Sequence, residues 1–156
     1  MLFTAQDLAL TAGFKTAAKF TNEMHRNGLP FGKGTRVGNA KRYAVTDLAK
    51  AIVMGRLRAF RIPVAQHKAM IDQIDETALA SALDQFEAGE IECVLVGVPS
   101  WAELDDFTGV FTSREAALEA LSAADFILID VGEVTKLQFS ETEHGKIHVT
   151  LSISET

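Results

Sequence analysis

Four cations crowd one short stretch of this 156-residue chain. In residues 32–43, "GKGTRVGNAKRY", Lys33, Arg36, Lys41 and Arg42 alternate with Gly32, Gly34, Gly38 and Asn39. Glu23 is the single carboxylate between Asp7 and Asp47. Ammonium and guanidinium groups without carboxylate neighbours do no acid–base chemistry; they neutralise anionic oxygens. Slender, glycine-rich backbone lets them approach a phosphate chain closely. The rest of the charge pattern agrees. Residues 1–68 carry 12 Lys/Arg against 3 Asp/Glu, and residues 69–156 carry 3 against 18, giving the net charge of −6. Such asymmetry suggests a polyanion-binding part joined to an acidic part.

Other chemistries lack their residues. Cys93 is the single cysteine and sits in an apolar run, where it reads as a small buried hydrophobe. Thiolate metal sites need two or three such ligands. His144 and His148 lie in a strand-like region, where four residues span about 13 Å, too far to share one ion. His25 falls on a candidate recognition helix and His67 on an apolar helix face. Glu103–Asp106 reads as a solvated acidic loop. Trp101 and Phe107 read as core. The segment 32–38 lacks the P-loop spacing, and "DVGEVTK" has one glycine where a nucleotide fingerprint needs several. The expectation is no catalytic residue, no metal, no cofactor and no enzyme activity.

The elements that must position the cations follow from caps and periodicity. Thr4, with Asp7 three residues on, starts a two-turn helix that Gly13 ends. Thr16 caps a second helix through Asn27-Gly28. Two short helices joined by a tight, glycine-containing turn have the helix-turn-helix pattern. A β-hairpin follows, with Leu29, Phe31, Tyr43 and Val45 flanking its glycine-rich centre. Thr46-Asp47 starts a helix that Ile62-Pro63 breaks. Two more helical segments carry Val64, His67, Met70, Ile71 and Ile74, then Leu79, Leu83 and Phe86. From about residue 90 the pattern is a small α+β unit. It contains strands at "IECVLVGVP", "DFILIDVG", "VTKLQFSE" and "KIHVTLSIS", and a helix capped by Ser113. The fold class is therefore α+β. An N-terminal winged helix-turn-helix (1–75) leads through a helical connector (76–89) to an acidic domain (90–156). The order helix, turn, helix, basic hairpin, helix places the second helix in a DNA major groove and the hairpin on the backbone. The DNA-binding set is then Lys15, Thr16, Lys19, Asn22 and Arg26 on the helix, with Lys33, Thr35, Arg36, Asn39, Lys41 and Arg42 on the wing.

"FTAQDLALTAGF", "GLPF" and "RVGNAKRYAVTDLAKAIVMGRLRAFRIPVAQHKAMID" resemble the N-terminal domain of the MerR-type transcription regulators. The resemblance is best from Asn39 to Asp72. Where the family has an Arg-Tyr-Tyr run, this chain has "KFTNEMHR". The resemblance implies a winged-helix fold, binding of pseudo-palindromic double-stranded DNA as a homodimer, and dimerisation beyond the DNA-binding part. Ile71, Ile74, Leu79, Leu83 and Phe86 offer a candidate seam. The acidic part would dimerise, or take an effector or a protein partner.

The longest apolar runs are far short of the roughly 20 residues of a membrane span. The first ten residues lack a secretory n-region, and a lone cysteine fits a reducing compartment. A cytoplasmic, sequence-specific regulator is the expected function. The alternative is an adaptor whose basic half docks an acidic protein.

Overall fold

The computed structural model describes residues 2–28, 31, 34–99, 108–121 and 126–132. These form a mixed α+β fold with six helices and two small antiparallel sheets. Expected features at Leu29, Lys33, Trp101, Glu103–Asp106, Phe107, His144 and His148, and the two C-terminal strands, lie outside the described residues.

Local rules account for the first two helices. Helix α1 (Ala5–Thr11) begins in a closed capping box. The Thr4 hydroxyl accepts from the Asp7 N–H at 3.0 Å, and the Asp7 carboxylate accepts from the Thr4 N–H at 2.7 Å. Gly13 turns the chain at φ 80°. Helix α2 (Ala17–Asn27) starts at Thr16, whose hydroxyl accepts from the Lys19 N–H, and ends at Gly28 in the left-handed conformation. The Ala17 N–H also donates to Gln6, tying α2 to α1.

The hairpin differs from the sequence expectation. Its strands lie inside the glycine-rich stretch: β1 (Thr35–Val37) and β2 (Ala40–Arg42). Gly38 at φ 64° is followed by Asn39 at negative φ, the two-residue turn whose twist suits a hairpin. Phe3 and Tyr43 exchange two 2.8 Å backbone bonds and anchor the hairpin base to the N-terminus.

Helix α3 (Val45–Ala59) starts one residue before the expected Thr46-Asp47. Asp47 accepts from the Ala44 N–H, so Ala44 is the cap. Leu48, Ala49, Ala51, Ile52, Val53, Met54 and Leu57 are all buried, as suits a helix apolar most of the way round. It packs against α1, α4 (Val64–Ile71) and α5 (Glu76–Glu87). Gly55 permits the crossing with α1: a Cβ there would stand 2.6 Å from the Thr11 carbonyl oxygen.

The second sheet has the order β4-β3-β5, with β3 (Leu95–Pro99), β4 (Gly109–Phe111) and β5 (Phe126–Asp130). Sequence reading missed β4. Val96 faces Ile129 and Val98 faces Ile127 toward the main core. Leu95 joins Cys93, Phe111 and Ala117 beneath α6 (Arg114–Leu121) on the opposite side. The main cluster runs from Phe3, Leu8 and Phe20 through Leu57, Leu79 and Leu83 to Val94, Val96 and Val131. Ile71, Ile74, Leu79 and Leu83 are buried in this core, and Phe86 packs against it. Ile71, Ile74, Leu79 and Leu83 are therefore not available as the dimer seam that their spacing suggested.

Candidate nucleic-acid interface

The hairpin brings two of the expected cations together and separates a third. Arg36 lies directly across from Lys41, so both side chains leave the same face. Thr35, Val37, Ala40 and Arg42 belong to the other face. Arg36 and Lys41 are exposed, as are Thr35 and Asn39, while Arg42 is half-buried. Two like charges directly opposite each other repel. Among the described residues no carboxylate pairs with either, though Lys41 Nζ stands 5.6 Å over the Tyr43 ring. Gly34 makes the base of this ribbon thin: a Cβ there would lie 2.8 Å from the Arg42 carbonyl oxygen.

Helix α2 places Lys19, Asn22 and Arg26 on its exposed side, with Lys15 and Thr16 exposed just ahead of it. Phe20 is fully buried on the opposite side, edge-on to Phe14 and Phe31 at 5.6 and 5.2 Å. This aromatic trio fixes the helix's rotation and so decides which residues face outward. Arg26 carries an ion pair to Glu23 at 3.5 Å, which the expected assignment to DNA left out.

Sequence reasoning missed two cations that flank α2. Arg58, from the last turn of α3, donates to the Ala12 carbonyl at 3.0 Å and lies 3.9 Å over the Phe14 ring. It braces the α1–α2 turn at Ala12 and Phe14 and remains partly exposed. Its partner is 46 residues away, so no local signal marks it. Lys68 of α4 runs past the other end, its stem 3.8 Å from where a Gly28 Cβ would stand. Its ammonium donates to Asp72.

Two further titratable groups, His67 and Cys93, are buried. His67 is completely buried, with Nε2 at 2.9 Å from the Ile62 carbonyl and no hydrogen-bond partner for Nδ1. Burial pushes its pKa below 6.5, the Ile62 bond opposes this, and nearby Arg58 adds to the lowering. A depression of about 720 Å³ beside α6 is lined by Cys93, Thr112, Arg114 and Asp130, among others. The Cys93 thiol there donates to the Thr112 carbonyl at 3.6 Å. Burial and then Asp130 push its pKa up, which leaves a neutral, poorly nucleophilic thiol. Among the described residues no group of His, Cys, Asp or Glu is placed to hold a metal ion, and no helix is long and apolar enough to cross a membrane.

No protein-family model matches the chain, and no curated protein matches it.

Proposed function

We propose that the protein is a cytoplasmic, sequence-specific DNA-binding regulator of transcription. Its N-terminal part acts as a winged helix-turn-helix of the MerR kind. Helix α2 enters the major groove with Lys19 and Asn22, Lys15 and Arg58 meet the backbone beside it, and the β1–β2 hairpin is the wing. The single observation that carries this reading is the facing Arg36–Lys41 pair. Two unneutralised cations held on one face of a protruding ribbon disfavour the free protein, and a phosphate backbone relieves their repulsion. The order α1, turn, α2, hairpin, α3 supports it, as does the rotation of α2 that the phenylalanine trio sets. The homodimer that this reading includes must use surfaces other than the buried Ile71, Ile74, Leu79 and Leu83.

Footprinting of genomic fragments with the full chain tests the proposal. The expected result is a protected site that excess random duplex does not displace. Absence of any duplex binding by the folded chain at low salt would refute it. Displacement of all bound DNA by an acidic protein, with no protected site, would favour the adaptor role instead.

A further inference from the structure

The two ends of α2 differ in electrostatic sign. At its N-terminal end stand Lys15 and Lys19, with no acidic residue in the first turn. Among the described residues neither has a carboxylate partner. The helix's own partial positive charge adds to them. At the C-terminal end, among the described residues, Arg26 and Lys68 are each held by a carboxylate. One Glu23 oxygen holds Arg26 at 3.5 Å, and the other accepts from Asn27 Nδ2 at 2.9 Å, so that carboxylate is fixed in place. Lys68, lying against Gly28, is held by Asp72. The helix's partial negative charge lies at this same end.

We propose that Glu23 and Asp72 determine specificity by denying Arg26 and Lys68 to DNA. The inference rests on the DNA-binding reading above. Eleven helical residues span about 16 Å, twice the Debye length of about 8 Å at physiological salt. The two ends therefore act on a duplex nearly independently. A phosphate backbone is drawn to the Lys15 end and meets, at the Gly28 end, cations already neutralised by Glu23 and Asp72. The helix is thereby oriented N-terminus first. Affinity for arbitrary sequence, which scales with the phosphates neutralised, is also held down.

The test uses the full chain and a random-sequence duplex of about two helical turns, with affinity measured by anisotropy across a salt series. Glu23→Gln keeps a polar partner for Asn27 while removing the charge, and Asp72→Asn does the same at Lys68. Each is expected to tighten random-duplex binding and to steepen the log–log salt slope by about one unit, the two together by about two. Arg26→Gln, removing a cation that is already held, is expected to leave the wild-type slope unchanged. Unchanged or shallower slopes in both carboxamide variants, while the wild-type chain binds, would overturn the proposal. So would a shallower slope in Arg26→Gln. A wild-type chain that binds no duplex at low salt would instead overturn the DNA-binding reading on which the proposal stands.

Discussion

Replacing Arg36 or Lys41 by alanine should move affinity and stability in different directions. Each side chain is exposed, and the two face each other across the β1–β2 ribbon. If each neutralises one phosphate, each substitution removes about 0.9 from the log–log salt slope. Between 50 and 200 mM salt, the wild-type loss of affinity should then shrink by about 3.5-fold in either single variant. In the double variant it should shrink by about 12-fold. The effect should be the same on specific and random duplexes, since phosphate contacts carry no sequence information.

Stability supplies the internal control. Removing one of two facing like charges relieves repulsion, so the thermal midpoint should hold or rise. A structural role for either cation requires the midpoint to fall. Lys41→Ala also removes the Lys41–Tyr43 stacking at 5.6 Å, which works against that gain, whereas Arg36→Ala keeps this contact. Anisotropy titrations at four salt concentrations, with midpoints by circular dichroism, decide the matter. Wild-type slopes in both single variants would refute the reasoning and remove the hairpin from the interface.

Three stability changes follow from single positions. Gly55→Ala gains about 1 kcal/mol of helix propensity, but overpacking against the Thr11 carbonyl 2.6 Å away costs about 1–3 kcal/mol, so urea denaturation should show a net loss. Arg61 is the one described non-glycine residue at positive φ, 60°. Arg61→Gly should stabilise by about 0.5–1 kcal/mol, because relief of a left-handed penalty of about 1–2 kcal/mol exceeds the gain in unfolded-chain entropy. His67 has a folded pKa below its ordinary 6.5, so the unfolded chain binds the extra proton. Its contribution is fully present above about pH 6.5 and is lost as pH falls from there toward the folded value, with a slope of at most about 1.4 kcal/mol per pH unit. His67→Gln, which keeps a donor for the Ile62 carbonyl, should flatten that part of the stability–pH curve and leave the carboxylate region near pH 4 unchanged.

What the sequence made legible was what local chemistry decides. The Thr4–Asp7 box, the Thr16 cap and the Gly28 stop each involve groups within four residues, and each forms as the spacing implies. The ribbon was legible as a hairpin but not in register. Two glycines, Gly34 and Gly38, both adopt positive φ, and the chain alone does not say which one makes the turn. Strand β4 is three residues long and exists because β3 pairs with it, so nothing in "GVF" marks it. The Ile71–Phe86 positions show the same limit. Helical spacing reveals an apolar face but not what covers it, and here the cover is the chain's own helix α3, with the sheet beside α5. In the candidate interface, the cations of α2 and the wing were visible as types in a row. The bracing of the α1–α2 turn by Arg58 and the neutralisation of Lys68 beside Gly28 depend on tertiary neighbours.

The opposite charges of the two halves take on a different meaning once the core is seen to be shared. A basic part and an acidic part joined by a flexible linker could fold onto each other and cancel. Here Leu79 and Leu83 of α5 lie in the same buried cluster as Leu57 of α3 and Val94, Val96 and Ile129 of the sheet. The described part of the acidic half therefore shares one core with the basic half. Lys50–Glu76, at 3.2 Å, is an ion pair that crosses between the halves, and its lysine is buried near the junction, away from the exposed cations of α2 and the hairpin. Among the described residues no carboxylate pairs with Lys15, Lys19, Arg36 or Lys41. Because the core is shared, cutting the chain after residue 89 would strip the apolar cover from Leu79 and Leu83 and disturb folding along with charge. Single charge substitutions at Arg36, Lys41, Glu23 and Asp72 leave that core intact, so they can separate the electrostatics of DNA binding from the stability of the fold.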